Sequence, residues 1–457
     1  MTDEQAQARA IPLETVIVAV FIAVELVYAC WSAFTGQGRY RVVRVGYGPD
    51  SAYYIAAAKA PVWSLKFLAT PNGAPFLFPL LAKLCLRNLR AIVLVQTFIA
   101  IASWRFLART VARRMTTRTA RVFAYVGLLL LAVSPPVLMW NAFVATESLS
   151  LSLLCVATAL FIRLAGGQAG RRDFTWFVVV LAPLACTRDS YAVVLLVVTG
   201  LAGIVAIARR TLRRRAAIVA AVCLVAALGN IAASNHAGRW FDPLNETIAV
   251  RLLGDHTATK YFADHGMPLT PQVRALHHKN SIVYLAYNVT FGREYRTYRS
   301  WLLHKGRSTY TSFLLTHPGW DVSHPFEGRA SFLKPDLRDY GRTFYVEPRG
   351  GFLYVGKVGM PQSQPVVEIW LVLAVVATAF LGRRRRDRVL LLTIGLSTLI
   401  MLVHFLVAWH GDALEIDRHV IGAAIQLRIL LWIVAAMTLD AVLDWWGTRR
   451  AAASVEV

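Results

Sequence analysis

One carboxylate, Asp50, stands in the stretch RVGYGPDSAYYIAAA just beyond the first long apolar run, and Ser51, Tyr53 and Tyr54 follow it. Such a carboxylate can take a proton from an attacking hydroxyl, although Asp and Ser are also common helix caps, and Asp50 can equally start a helix near Ser51. A second acid, Glu147, stands in WNAFVATESLSLSLL, where a hydrated turn residue is as reasonable as a functional one. Arg188 and Asp189 break two apolar runs, and HGDALEIDRHV carries Asp412, Glu415, Asp417, Arg418 and His419, with His404 before it and Arg428 after it. On a helix, Arg428 lies ~13 Å from His419. A guanidinium at that depth needs an anionic partner or a water-filled cavity. Acids and arginines gathered on one face suit transfer from a phosphate-linked donor, with planar guanidinium forks on the phosphate and a carboxylate activating the hydroxyl that attacks the sugar. A divalent cation bridging carboxylate and phosphate would further stabilise the leaving group. Oxygen ligands from Asp50 and Glu147 suit magnesium, manganese or calcium rather than zinc, and nothing in the spacing requires a metal.

The elements that must position these groups are membrane spans. A chain of 457 residues, 56% hydrophobic and only 16% charged, with mean hydropathy +0.50, is excluded from the ordinary soluble enzymes. The net charge of +23 comes from short arginine runs between apolar stretches, which is an orientation signal and calls for no nucleic-acid partner. Five scattered cysteines, Cys30, Cys85, Cys155, Cys186 and Cys223, have no CxxC spacing and read as packing residues. The first apolar run has neither a compact basic stretch before it nor a small-residue cleavage site after it, so it is expected to remain as a helix.

Runs of bilayer-crossing length are expected near 13–35, 89–109, 121–140, 143–163, 174–187, 190–208, 215–233, 365–382, 389–409 and 419–444. The fifth is the shortest. Arginine clusters at 109–121, 163–172, 209–215, 383–388 and 449–450 alternate with them and place both termini in the cytoplasm. Arg39, Arg41, Arg44, Lys59, Lys66 and Lys83 lie on the other side and are outvoted. The fold class is thus an all-α polytopic membrane protein of about ten transmembrane helices, multi-pass in the plasma (inner) membrane, with its site extracytoplasmic.

Three parts follow: an N-terminal membrane module over 1–233, a loop or cap over 234–364, and a C-terminal membrane module over 365–457. The first outer loop, 36–88, holds Asp50 and two apolar pieces, YYIAAAKAPVWSLKFL and APFLFPLLAKLCL, of the length expected for interfacial helices with snorkelling lysines. The second, 234–364, is aromatic and basic. Its Trp240, Tyr261, Tyr298, Trp301 and Trp320 can stack on sugar rings or simply pack.

The Asp-bearing first loop, the aromatic-proline pattern FLFPLL, the TESLSLSLL start of the fourth span and the long outer loop resemble the GT-C superfamily of polyprenyl-phosphate-sugar-dependent glycosyltransferases. The resemblance covers most of the membrane region through short motifs. It implies transfer from a polyprenyl-phosphate-linked sugar donor to a cell-envelope glycan or protein acceptor, at the membrane lipid surface. Asp50 would be the catalytic acid-base residue and Glu147 the second acidic site, with Arg188, Arg418 and Arg428 as donor-phosphate contacts. Arg44 and His419 complete the phosphate set, and Tyr53, Tyr54 and Arg251 are the candidate sugar or acceptor contacts. The chain departs from several members in having one Asp rather than a paired acidic motif, and no large domain follows the last span.

Two other classes remain open. In an envelope polysaccharide polymerase or ligase, Arg251, His277, His278 or Arg299 of the long loop would do the work instead of Asp50. A lipid-linked sugar flippase or another transporter would show repeated halves and helices broken at mid-membrane, and neither is evident. Pro135 and Pro136 fall near a span end, where they can shape a turn.

Overall fold

The computed structural model describes residues 13–35, 46–69, 75–167, 170–279, 282–327, 329–333, 358–361, 363–382 and 388–453. The chain is an all-α polytopic membrane protein. Among the described residues the only extended pairing is an isolated bridge between Gly46 and Phe143. Among the described residues the ten longest helices are α1 (Leu13–Thr35), α2 (Leu89–Ala112), α3 (Arg118–Ala132), α4 (Thr146–Ala165), α5 (Arg171–Ala185), α6 (Asp189–Ala208), α7 (Arg213–His236), α8 (Gln364–Leu381), α9 (Arg388–Gly411) and α10 (Ile421–Ala453).

Among the described residues, eight of these helices are long and apolar enough to cross a membrane. The count rises to nine when α3 and the helix Pro135–Asn141 are taken as one span bent by 58°. The bend falls at Pro135 and Pro136, which lack the N–H needed to continue the helical ladder. This is fewer than the ten spans expected, and the difference is α5, whose 15 residues rise only ~22 Å. Its ends nevertheless match those of α4. Asp173 meets Arg163 at 3.0 Å at one end, and Arg188, just past the other, reaches Glu147 at 3.5 Å. Helix α5 with its C-terminal turn therefore runs the length of α4 and returns the chain to the face that carries Glu147.

Helix α10 is the axis of the bundle. Ala423, Ala424, Ile425, Ile433 and Ala436 are fully buried along it, and it packs against α3, α8 and α9. The small residues admit close neighbours: a Cβ at Gly127 of α3 would come within 2.3 Å of the Trp432 ring. Val20, Ile207, Val225, Val375 and Phe380 instead point outward, as apolar residues on lipid-facing surfaces do. On the face remote from Glu147, Asp440 accepts hydrogen bonds from the backbone and hydroxyls of Thr116 and Thr117 at 2.8 to 3.1 Å. That clasp ties the α2–α3 turn to α10.

The stretch 234–364 divides. Ile248, Phe262, Tyr298, Leu302 and Phe313 form a second apolar core built on short helices. Phe332, Leu333 and Met360 belong instead to the main bundle core, so the chain dips back into it after the cap. In the first loop, the helices Pro49–Ala57, Leu65–Leu68 and Leu77–Leu84 leave Trp63, Leu84 and Leu86 exposed. Lys83 turns inward, contrary to a snorkelling role, and donates to the carbonyls of Ala58 and Ala60 at 3.2 and 2.8 Å. Arg44, the loop residues 334–357 and the arginine cluster at 383–386 lie outside the described residues.

Candidate active site

Asp50 and Glu147 are brought together by backbone. Gly46 N donates to Ala142 O (3.2 Å) and Gly46 O accepts from Val144 N (2.9 Å), so the segments preceding the two acids lie side by side. Ser51 reinforces the junction, because its hydroxyl donates to Val144 O (2.7 Å) and accepts from Gly48 N (3.0 Å). Pro49 opens the helix at a position where its missing N–H costs nothing. Ser51 thus makes the N-terminal capping bond, and Asp50 is left for another partner.

That partner is Arg418. Its Nη2 meets Asp50 Oδ2 at 2.6 Å, its Nε meets Glu147 Oε1 at 2.5 Å, and its Nη1 meets Glu415 Oε2 at 2.8 Å. One planar guanidinium therefore serves three carboxylates from three distant parts of the chain, which its five fixed donors permit and a lysine could not. Glu147 is fully buried, whereas the Asp50 side chain is 34% exposed. The exposed oxygens of the network thus belong to Asp50 and to the partly buried Glu415.

Arg188 closes the cluster from the other side. Its Nη1 lies 3.5 Å from Glu147 Oε1 and donates to Arg418 O at 3.2 Å, and its Nη2 lies 2.8 Å from His419 Nδ1. Arginine can only donate, so His419 Nδ1 is the acceptor and the ring proton sits on Nε2. That Nε2 lies 3.1 Å from Asp412 Oδ2. Burial alone would raise the Asp412 carboxyl, but His419 and the backbone N–H groups of Glu415 and Leu414 outweigh it and hold it well below the usual range. His404, expected among the polar groups, is buried against Tyr191 with ring centroids 4.5 Å apart and lies 3.3 Å from Ser190 Oγ. Behind Glu147, Ser148 donates to Asn141 (2.7 Å) and Asn141 to the buried Glu25 (3.1 Å).

Asp50, Glu147, Arg188, Arg418 and His419 therefore form one cluster. Arg428 does not join it: fully buried, it donates to the carbonyls of Ala424, Phe332, Leu333 and Pro361. Those carbonyl oxygens engage both Nη groups without an anion, while Nε has no partner among the described residues, and they hold the dipping segment against α10, together with the bond from Trp432 Nε1 to Gly359 O (2.9 Å). Arg251 is also engaged elsewhere, 4.0 Å over the Trp409 ring and donating to the Trp409 carbonyl. Tyr54 is buried with its ring 4.9 Å from Phe78, while Tyr53 is 41% exposed on the helix that carries Asp50. Of the loop residues weighed for a polymerase or ligase, Arg299 donates to the carbonyls of Val289 and Thr290.

Asp50 and Glu147 each place one carboxylate oxygen on Arg418. Among the described residues no three His, Cys, Asp or Glu are grouped to hold a metal ion. Charge compensation here comes from guanidinium groups. Glu415 and Asp412 belong to the site; the sequence shows both among the acids of HGDALEIDRHV but gives neither a role there, and the three-residue spacing of Glu415 and Arg418 is the signal for the former. The chain matches no protein-family model and no curated protein.

Proposed function

We propose that this protein is a membrane glycosyltransferase that moves a sugar from a polyprenyl-phosphate carrier to an acceptor hydroxyl of the cell envelope, on the outer face of the plasma membrane. The observation that supports this reading is the convergence of Asp50, Glu147 and Glu415 on the single guanidinium of Arg418, with Asp50 partly open to solvent. A donor phosphate has the geometry to replace Asp50 on the Arg418 fork. That exchange frees the Asp50 carboxylate next to the phosphate it has yielded to. The acceptor oxygen then bonds to the anomeric carbon, its proton passes to Asp50, and the carbon–oxygen bond to the phosphate breaks with both electrons going to the phosphate. Buried Glu147 keeps Arg418 and Arg188 aimed during the exchange. Arg428 and Arg251, already engaged with backbone carbonyls, are left out of donor binding.

The test is purified protein with a panel of radiolabelled polyprenyl-phosphate sugars, scored for label moving to water or to added envelope glycan. Transfer from one donor is expected, and Asp50→Asn should lower it by about a hundredfold to ten-thousandfold. Each assay is repeated with chelator and with added magnesium, manganese or calcium, since a metal requirement would lower Asp50→Asn activity by another route. Near-normal turnover in a folded Asp50→Asn variant would overturn the mechanism and favour the loop-centred polymerase or ligase.

A further inference from the structure

The helix Ile282–Phe291 of the cap is apolar on two opposite faces. Leu285 and Val289 are fully buried in the second core, while Tyr287 and Phe291, about half a turn round from them, are 64% and 69% exposed with ring centroids 5.1 Å apart. A helix that is apolar on both faces calls for two apolar neighbours, and the cap core is only one. Polar groups on this helix are turned to its own backbone: Asn288 Nδ2 donates to Tyr284 O (3.0 Å), and Arg299 takes the carbonyls of Val289 (3.0 Å) and Thr290 (2.6 Å). Cations stand at both ends. Lys279 Nζ lies 4.9 Å over the Tyr284 ring, and Arg293 and Arg296, just past Phe291, are exposed, with Glu294 the exposed acid between them. The helix is also held at the membrane end of the cap. Asn245 donates to Leu285 O (3.4 Å) from the helix Phe241–Thr247, which starts shortly after α7 ends at His236 and packs on α9. Arg307, further along the cap, donates to Asn235 in the last turn of α7 (2.5 Å).

We propose that this face of the cap, Tyr287 and Phe291 with Lys279, Arg293 and Arg296 around them, lies on the bilayer surface and binds anionic phospholipid. The two rings enter the boundary between headgroups and acyl chains, and the cations pair with headgroup phosphates. Each group suits that place. Phe291 has no polar atom to satisfy and gains by leaving water, while Tyr287 buries its ring and keeps its hydroxyl at headgroup level. Lysine and arginine lay their apolar stems along the boundary and carry the charge out to phosphate, with which a guanidinium pairs through two N–H groups. An apolar face flanked by basic residues is the composition of helices that rest on a membrane surface. The cap is thereby moored twice, by its own helices on α7 and α9 and by this face on lipid. The inference concerns where the cap rests and does not depend on what the site transfers.

The experiment reads the depth of a nitroxide on the full-length protein in nanodiscs of phosphatidylcholine with phosphatidylglycerol, and in nanodiscs of phosphatidylcholine alone. The label is carried by Tyr287→Cys and, for comparison, by Lys260→Cys on an exposed part of the cap. Cys30→Ala and Cys85→Ala remove the two cysteines that are not buried. Oxygen concentrates in lipid and a nickel chelate stays in water, so the ratio of their collisions reports the medium around the label. At 287 oxygen should dominate, and at 260 the chelate. Leaving out phosphatidylglycerol, or combining Arg293→Gln with Arg296→Gln, should shift the 287 label toward the chelate, because the attraction to phosphate is weakened. Wild type gives a second measure that needs no label: amide exchange over 282–296 should be slower with phosphatidylglycerol than without it, and exchange over the helix His256–Asp264 should be the same in both. Equal chelate access at 287 and 260, or wild-type exchange indifferent to lipid charge, would overturn the proposal. So would a 287 label shielded from both reagents, which would mean that protein covers the face, or one shielded from the chelate only when envelope glycan is added.

Discussion

Replacing Arg418 by Met should be among the most damaging single changes in the chain, and its cost can be worked from the burial of its three partners. Glu147 is fully buried, so without Arg418 its carboxylate keeps only Arg188, 3.5 Å away, as a counter-charge. Breaking a buried pair by removing one partner costs about 3–5 kcal/mol, most of it the penalty of the charge left behind. The side chains of Asp50 and Glu415 are 34% and 25% exposed, so water screens their losses to below about 1 kcal/mol each. The residual attraction of Arg188 pulls the total toward the lower end, to about 3–4 kcal/mol, or two to three orders of magnitude in the folding equilibrium. The logic is tested by a cycle with Glu147→Gln. Neutralising Glu147 removes the stranded charge, so the double variant should be more stable than the sum of the single losses by at least about 1.5 kcal/mol. Reversible unfolding in mixed micelles provides the measurement. A loss below about 1 kcal/mol for Arg418→Met, or strict additivity in the cycle, would show that the guanidinium does not hold Glu147 in the way the distances indicate.

Three further outcomes are expected. Ser51→Ala should cost about 1–2 kcal/mol, because it removes both the helix cap and the bond to Val144, whereas Asp50→Asn should change stability by less than about 1 kcal/mol; the reverse order in thermal unfolding would return the capping role to Asp50. Gly422→Ala should cost about 1–3 kcal/mol by overpacking, since a Cβ there would stand 2.5 Å from Tyr191 Oη and 2.7 Å from the His404 ring. An unchanged melting temperature for that variant would mean that α6, α9 and α10 are not in such close contact. For the proposed topology, Lys260→Cys on the exposed face of the cap should react with a membrane-impermeant thiol reagent in intact cells, and protection there with labelling at the 209–215 turn would invert the orientation.

Several parts of this architecture can be read from local pattern. The class follows from hydropathy alone, because a bilayer forces backbone groups to pair within each segment and leaves long apolar helices as the economical solution. The first four members of the cluster, Asp50, Glu147, Arg188 and Arg418, were visible as polar residues at span ends, where an ionisable group beside lipid is exceptional enough to suggest a task. Glu415 was legible only as a helical neighbour of Arg418.

Arg428 marks the limit of such reading. In sequence it lies inside the apolar run that Arg418 immediately precedes, and both call for an electronegative partner. Which partner each finds depends on segments 60 to nearly 400 residues away, roughly, so no local pattern can distinguish them. Arg418 meets carboxylates because the Gly46–Phe143 bridge sets Asp50 beside Glu147. Arg428 meets carbonyl oxygens because the chain after the cap dips back into the bundle at Phe332 and Leu333. The same holds for the expected tenth span: hydropathy gives a run over 174–187, but the helix formed there, α5, has only 15 residues, and its ties to the two ends of α4 are visible only in the fold. Residue types, the apolar runs and the sign of each charge were determined by the sequence itself. Which charges meet, and how deeply each is buried, was decided by tertiary structure, because electrostatic energy depends on distance and burial, and neither is a local property of the chain.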